Sequence, residues 1–102
     1  MTDCFTSSIP ILKVLCDETR LSILSMLSHK ELNGCEIHRA FACTQPTISY
    51  HMKLLVDAQL VHSRKEGCAV IYSINTTIWP QVRGLLDVLC IAAQQKGASS
   101  NE

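Results

Sequence analysis

Six cysteines and four histidines are the residues of this 102-residue chain best suited to chemistry. Cys35 and His38 stand three apart in a helical pattern, so a thiol and an imidazole share one helix face. Such a pair suits soft or borderline metal ions. The four histidines are His29, His38, His51 and His62. No C-x-x-C occurs and the cysteines are widely spaced, against a thiol oxidoreductase and against an enzyme of that class.

A second kind of chemistry lies between Glu31 and Leu60, which reads as two short helices with a sharp corner. The first is expected to turn Leu32, Ile37 and Phe41 inward. Thr44 stands where an N-cap belongs, with Gln45 and Pro46 in the first turn of the next helix. At about 100° per residue, Ile48, Met52 and Leu55 share one arc, while Pro46, Thr47, Ser49, Tyr50 and Lys53 gather opposite. Either this is a helical hairpin with a solvated outer face, or it is a helix-turn-helix that sets side chains against base edges. The run from Leu60 to Ile74 weighs for the second, because two alternating stretches flank Gly67 and Cys68 as a β-hairpin. Helix, helix and hairpin make a winged helix. Thr47, Ser49, Tyr50 and Lys53 would then enter the major groove. Thr44 and Gln45 would approach phosphates at the helix N-terminus, His51 would orient the backbone or a phosphate, and Arg64 and Lys65 would anchor the wing.

The scaffold around these residues reads more simply. Ile9 to Cys16 reads as a first helix, with Pro10 near its start. Asp17 reads as the N-cap of a second helix carrying Leu21, Ile23, Leu24 and Leu27. Asn75 and Thr76 are placed to cap a last helix whose Ile78, Val82, Leu85, Leu86, Leu89 and Ala93 recur at helical spacing, with Trp79 at the edge. So long an apolar face, beyond a core already complete, calls for a partner. The expected organisation is a flexible arm over 1–8, a DNA-binding and dimerisation domain over 9–93 and a frayed tail over 94–102.

Nine basic and nine acidic residues leave the chain neutral, against binding by non-specific phosphate attraction alone. Between positions 39 and 65, however, Arg39, Lys53, Arg64 and Lys65 face only Asp57. There is no apolar run of membrane-spanning length and no signal-peptide pattern at the start, so the reading is cytoplasmic, with no membrane partner. In that compartment the cysteines are thiols, metal ligands or redox sensors rather than structural disulfides.

DETRLSIL at Asp17 to Leu24, EL and CEI within Glu31 to Ile37, TQPTISYHMKLL at Thr44 to Leu55, then AQLV, RKEG and VIYSI resemble the ArsR/SmtB family of winged-helix repressors. The match spans roughly residues 12 to 75. The resemblance implies a mainly α winged helix-turn-helix with a small β-hairpin, homodimeric through its first and last helices. It implies a repressor that needs no cofactor to bind double-stranded operator DNA and leaves it when a metal, metalloid or oxidant reaches a cysteine-rich or histidine-rich site.

In the family's arsenic and cadmium sensors a sequence of the form ELCxCDLC supplies three thiolates from one helix. Its cysteines fall here on Asn33, Cys35 and His38, so one thiol survives. The resemblance recruits Cys4 from the N-terminal arm to Cys35 and His38, and offers Cys16 and Cys90 as a second group near the dimer seam. It places Cys43 in the core and Cys68 at the wing tip. The last helix lacks the Asp-x-His and His-x-x-His or His-x-x-Glu pairs that relatives use for zinc, cobalt or nickel. Gln59 replaces a common glycine, an uncomfortable residue for a left-handed cap. Trivalent arsenic or antimony is the leading inducer implied, with an oxidant or reactive sulfur species, or cadmium, lead or zinc, as rivals.

Overall fold

Asp17 starts the scaffold as expected. Its extended backbone and a side chain that accepts from the Arg20 amide at 3.0 Å cap the helix that follows. The computed structural model describes residues 2–100, with side chains described over 5–91. In chain order it contains α1 (Thr2–Leu15), α2 (Glu18–Leu27), β1 (Leu32–Asn33), α3 (Gly34–Arg39), α4 (Gln45–Asp57), β2 (Val61–Glu66), β3 (Ala69–Ile74) and α5 (Trp79–Ser100).

Three boundaries differ from the sequence reading. Residues 2–8 are helical, not an arm, so α1 begins well before Ile9 and Pro10 lies inside it. Helix α5 begins at Trp79 and runs on to Ser100, through most of the stretch read as tail. Asn75 does not cap it. Its side-chain oxygen instead accepts from the backbone and hydroxyl of Thr77 at 3.0 and 2.7 Å, a tight turn ahead of the helix.

Leu32 lies not in a helix but in β1, opposite Tyr72, and the sheet order is β1-β3-β2, antiparallel throughout. Helix α3 starts after it. Asn33 accepts from the Glu36 amide at 2.8 Å, and the Glu36 carboxylate accepts from the Asn33 amide at 2.9 Å, a reciprocal capping box. A residue of strand propensity was not needed, because two residues of pairing beside a capped helix suffice to join α3 to the wing. The hairpin itself is as expected, with Glu66 opposite Ala69 and a two-residue turn in which Gly67 takes φ +63°.

The core gathers Ile11 of α1, Ile23, Leu24 and Leu27 of α2, Ile37 of α3, Ile48, Met52 and Leu55 of α4, Leu60, Val61 and Val82. Leu21 was expected inside but is half exposed. Phe41 lies beyond the end of α3 and still packs on the core. On α5 the apolar stripe divides: Val82 and Leu85 are buried, whereas Leu86 and Leu89 are more than half exposed.

Candidate nucleic-acid interface

Helix α4 separates two chemistries by periodicity. Ile48, Met52 and Leu55 are at most 3% exposed and fasten it to α2, α3 and the hairpin. Gln45, Pro46, Thr47, Ser49, Tyr50 and Lys53 all face solvent. Thr44 caps the helix: its hydroxyl accepts from the Thr47 amide at 3.4 Å and lies 3.0 Å from the Thr47 hydroxyl. Pro46 occupies the first turn, where no amide hydrogen is needed. The exposed row therefore carries an amide, hydroxyls, a phenol and an ammonium on a helix held rigidly from behind, able to donate to phosphates and base edges.

The basic residues are less free than their count suggests. Lys53 reaches Asp57 at 3.1 Å, a solvent-exposed pair one turn on that a phosphate can displace at little cost. Arg64 is different. Its two terminal nitrogens meet both oxygens of Glu31 at 3.0 and 2.8 Å, and its Nε meets Glu66 at 2.8 Å. The Arg64 hydrogen bonds pull the Glu31 carboxyl below its ordinary range, and Glu31 and then Glu66 hold the guanidinium more firmly protonated. A cation inside two carboxylates offers no net positive charge, so as a phosphate anchor Arg64 is compromised. Lys65 and Arg39 form no ion pair among the described residues. Glu31 lies outside the hairpin in sequence, and only the β1-β3 pairing brings it to the wing.

His51 is half-buried, and its Nδ1 lies 3.1 Å from a terminal nitrogen of Arg20, a residue to which sequence reasoning assigned nothing. The ring of Tyr50 sits beside it, with centroids 5.9 Å apart.

The thiols are distributed as follows. Cys35, His38 and Cys68 line one groove of about 410 Å³, together with Asn33, Gln45 and Ser49. The Cys35 and Cys68 residues are exposed. His38 is partly committed, since its Nε2 lies 3.0 Å from the Cys43 carbonyl oxygen. Asn33, where the family pattern would have a thiolate, is used up as the cap of α3. Cys16 and Cys90 are exposed, and Cys43 packs on the core. The Cys4 side chain lies outside the described residues. Among the described residues no three cysteine, histidine or carboxylate groups are close enough to hold a metal ion.

A three-stranded wing packed behind a capped helix with a polar outer row defines a winged helix-turn-helix DNA-binding protein. The model of the bacterial regulatory proteins of the arsR family matches residues 17–63. The chain is 44% identical over 79 residues to an arsenical resistance operon repressor of Staphylococcus xylosus, covering 78% of this chain and 76% of that one. The chain belongs to the arsR family of transcriptional repressors. An ArsR-like transcriptional regulator from Rhodococcus sp. RHA1 superposes with a TM-score of 0.86 at 19% identity, over 97% of this chain and 91% of that one. A homodimeric winged helix-turn-helix DNA-binding domain of Mycobacterium bovis superposes with a TM-score of 0.69 at 23% identity, over 99% and 92%. Among the described residues no helix is long and apolar enough to cross a membrane.

Proposed function

We propose that this repressor acts in the cytoplasm as a homodimer on a two-fold operator and is released by a thiophilic inducer, with trivalent arsenic or antimony foremost. The observation that carries the DNA reading is the exposed polar row of α4 opposite a fully buried face. Thr47, Ser49, Tyr50 and Lys53 enter the major groove. Thr44, Gln45 and His51 meet phosphates, and Lys65 takes the wing contact without help from Arg64. Exposed Phe5, Ile9 and Leu12 on α1 and Leu86, Leu89 and Ile91 on α5 support dimerisation through these two helices. Two copies then present their α4 helices to successive turns of DNA.

The inducer reading is supported by the name of the Staphylococcus xylosus relative and by the exposed thiol of Cys35. Its remaining ligands come from outside the described residues, Cys4 first, or from the second group, Cys16 and Cys90. A hundredfold loss of operator affinity requires about 2.7 kcal/mol of preference for the DNA-incompetent dimer. An oxidant is the rival, supported by the exposed thiols of Cys35 and Cys68 in one groove. In that case two thiols form a disulfide and pass two electrons and two protons to a peroxide, which leaves as water.

Titrating arsenite, cadmium, zinc and hydrogen peroxide against the DNA complex tests both readings. Arsenite releases the wild-type protein, and Cys35→Ser blunts the release. Release by peroxide alone, abolished by reductant, selects the redox reading. An arsenite response unchanged in Cys35→Ser removes that residue from the site.

A further inference from the structure

At the junction of α1 and α2 stands a side chain that takes no part in the proposed DNA face. Arg20 lies in the first turn of α2, its amide already engaged by Asp17. Its guanidinium turns back across the loop, where Nε donates to the Val14 carbonyl at 2.6 Å. That carbonyl belongs to the last turn of α1, where backbone acceptors have no helical donor ahead of them. The same guanidinium then reaches α4, with a terminal nitrogen 3.1 Å from Nδ1 of His51. Three helices thus meet on one planar cation.

A guanidinium has donors only and stays protonated throughout the working pH range. The ring nitrogen facing it must therefore be the acceptor. A neutral imidazole carries one donor and one acceptor, so the proton of His51 sits on Nε2. An imidazolium would set an N–H against an N–H and a cation against a cation. The Asp17 carboxylate, engaged first by the Arg20 amide, also stands near both the Arg20 guanidinium and His51.

We infer that Arg20 is a positioning residue for operator binding: it locks His51 as the Nε2–H tautomer, so that α4 offers a neutral N–H donor to a backbone phosphate. The inference rests on α4 being the DNA helix, as proposed above. It makes the end of α1, a helix with an exposed apolar stripe, and the DNA helix share one hydrogen-bonded group.

The first test needs no DNA. Long-range proton–nitrogen NMR of the imidazoles, assigned with His51→Gln, is expected to show His51 protonated at Nε2 alone; a proton at Nδ1 overturns the inference. The second test is a double-mutant cycle on operator affinity at fixed salt. His51→Ala and Arg20→Ala each weaken binding by about three- to tenfold, the worth of one hydrogen bond. The pair weakens it no further than His51→Ala alone. Arg20→Lys keeps the charge, secures the fold should Arg20→Ala fail to fold, and shows the same coupling, because an ammonium lacks the planar fork. Additive losses would mean that Arg20 supports only the fold, and overturn the inference. Affinity unchanged in His51→Ala but lost in Tyr50→Ala and Lys53→Ala overturns it while leaving the DNA face intact. Affinity unchanged in all of them overturns both.

Discussion

Asn75, at the exit of the wing, donates its side-chain amide to the carbonyl of Gln59 across 2.7 Å, pinning the strand that leaves the hairpin to the end of α4. The Asn75 backbone amide adds a second bond to the Leu60 carbonyl at 3.1 Å, and the residue is 5% exposed. Gln59 needs the support. It takes φ +64° at the end of α4, where its amide reaches Val56 and that of Leu60 reaches Leu55, a Schellman closure built without glycine. Replacing Asn75 by alanine leaves the Gln59 carbonyl without its side-chain donor and the Thr77 amide and hydroxyl without their acceptor, so Asn75→Ala should cost about 2 kcal/mol in chemical denaturation. An unchanged midpoint would show the pin to be idle.

The same turn makes a prediction of the opposite sign. A left-handed backbone costs a non-glycine residue about 1 kcal/mol or more. Gln59 is exposed and contributes its backbone to the closure, so Gln59→Gly should stabilise by about 0.5–1 kcal/mol after the extra chain entropy of glycine. Thermal unfolding should move up by a few degrees.

Ser8 is fully buried in α1, and its hydroxyl has no hydrogen-bond partner among the described residues. Removing that hydroxyl removes a desolvation penalty without opening much space. Ser8→Ala should therefore raise stability by about 1 kcal/mol. A fall would mean that the hydroxyl finds a partner in the proposed dimer.

Glu31 holds both terminal nitrogens of Arg64. In Glu31→Gln the guanidinium loses its bidentate acid, so operator affinity should rise and the dependence of log affinity on log salt should steepen by up to about one ion. Affinity measured from low to moderate salt reads both. A fall in affinity would mean that the ion pair serves to hold the wing for DNA.

Acid should act on the same group. The Glu31 carboxyl is pulled down by its hydrogen bonds from Arg64, and that of Asp17 by the Arg20 amide. A carboxyl whose pKa is lower folded than unfolded contributes stability above its unfolded value and loses it as pH falls through the folded one. Stability should thus decline below about pH 4, and Glu31→Gln with Asp17→Asn should flatten the decline. Denaturation midpoints across that range test it.

Some of this was legible in the chain because it is local. Period 3.6 divides α4 into Ile48, Met52 and Leu55 against Thr47, Ser49, Tyr50 and Lys53. Capping chemistry places Asp17 and Thr44, and Gly67 marks the hairpin turn. Those features depend on neighbours within a turn or two, and a sequence carries them directly. The start of α1 and the strand at Leu32 did not show themselves, since Thr2 to Ser8 has no strong cap signal and two residues of strand have no period.

Long-range meetings belong to the tertiary structure alone. Read alone, the chain carries a capped helix with one polar and one apolar face, a wing and scattered thiols. Folding decided that Arg64 is enclosed by Glu31, 33 positions away, that Arg20 reaches His51, 31 positions away, and that Cys35 and Cys68 share a groove. The physical reason is that charge and proton location depend on what stands within a few ångströms, and only the packing of α2, β1 and the hairpin around α4 brings those groups within reach.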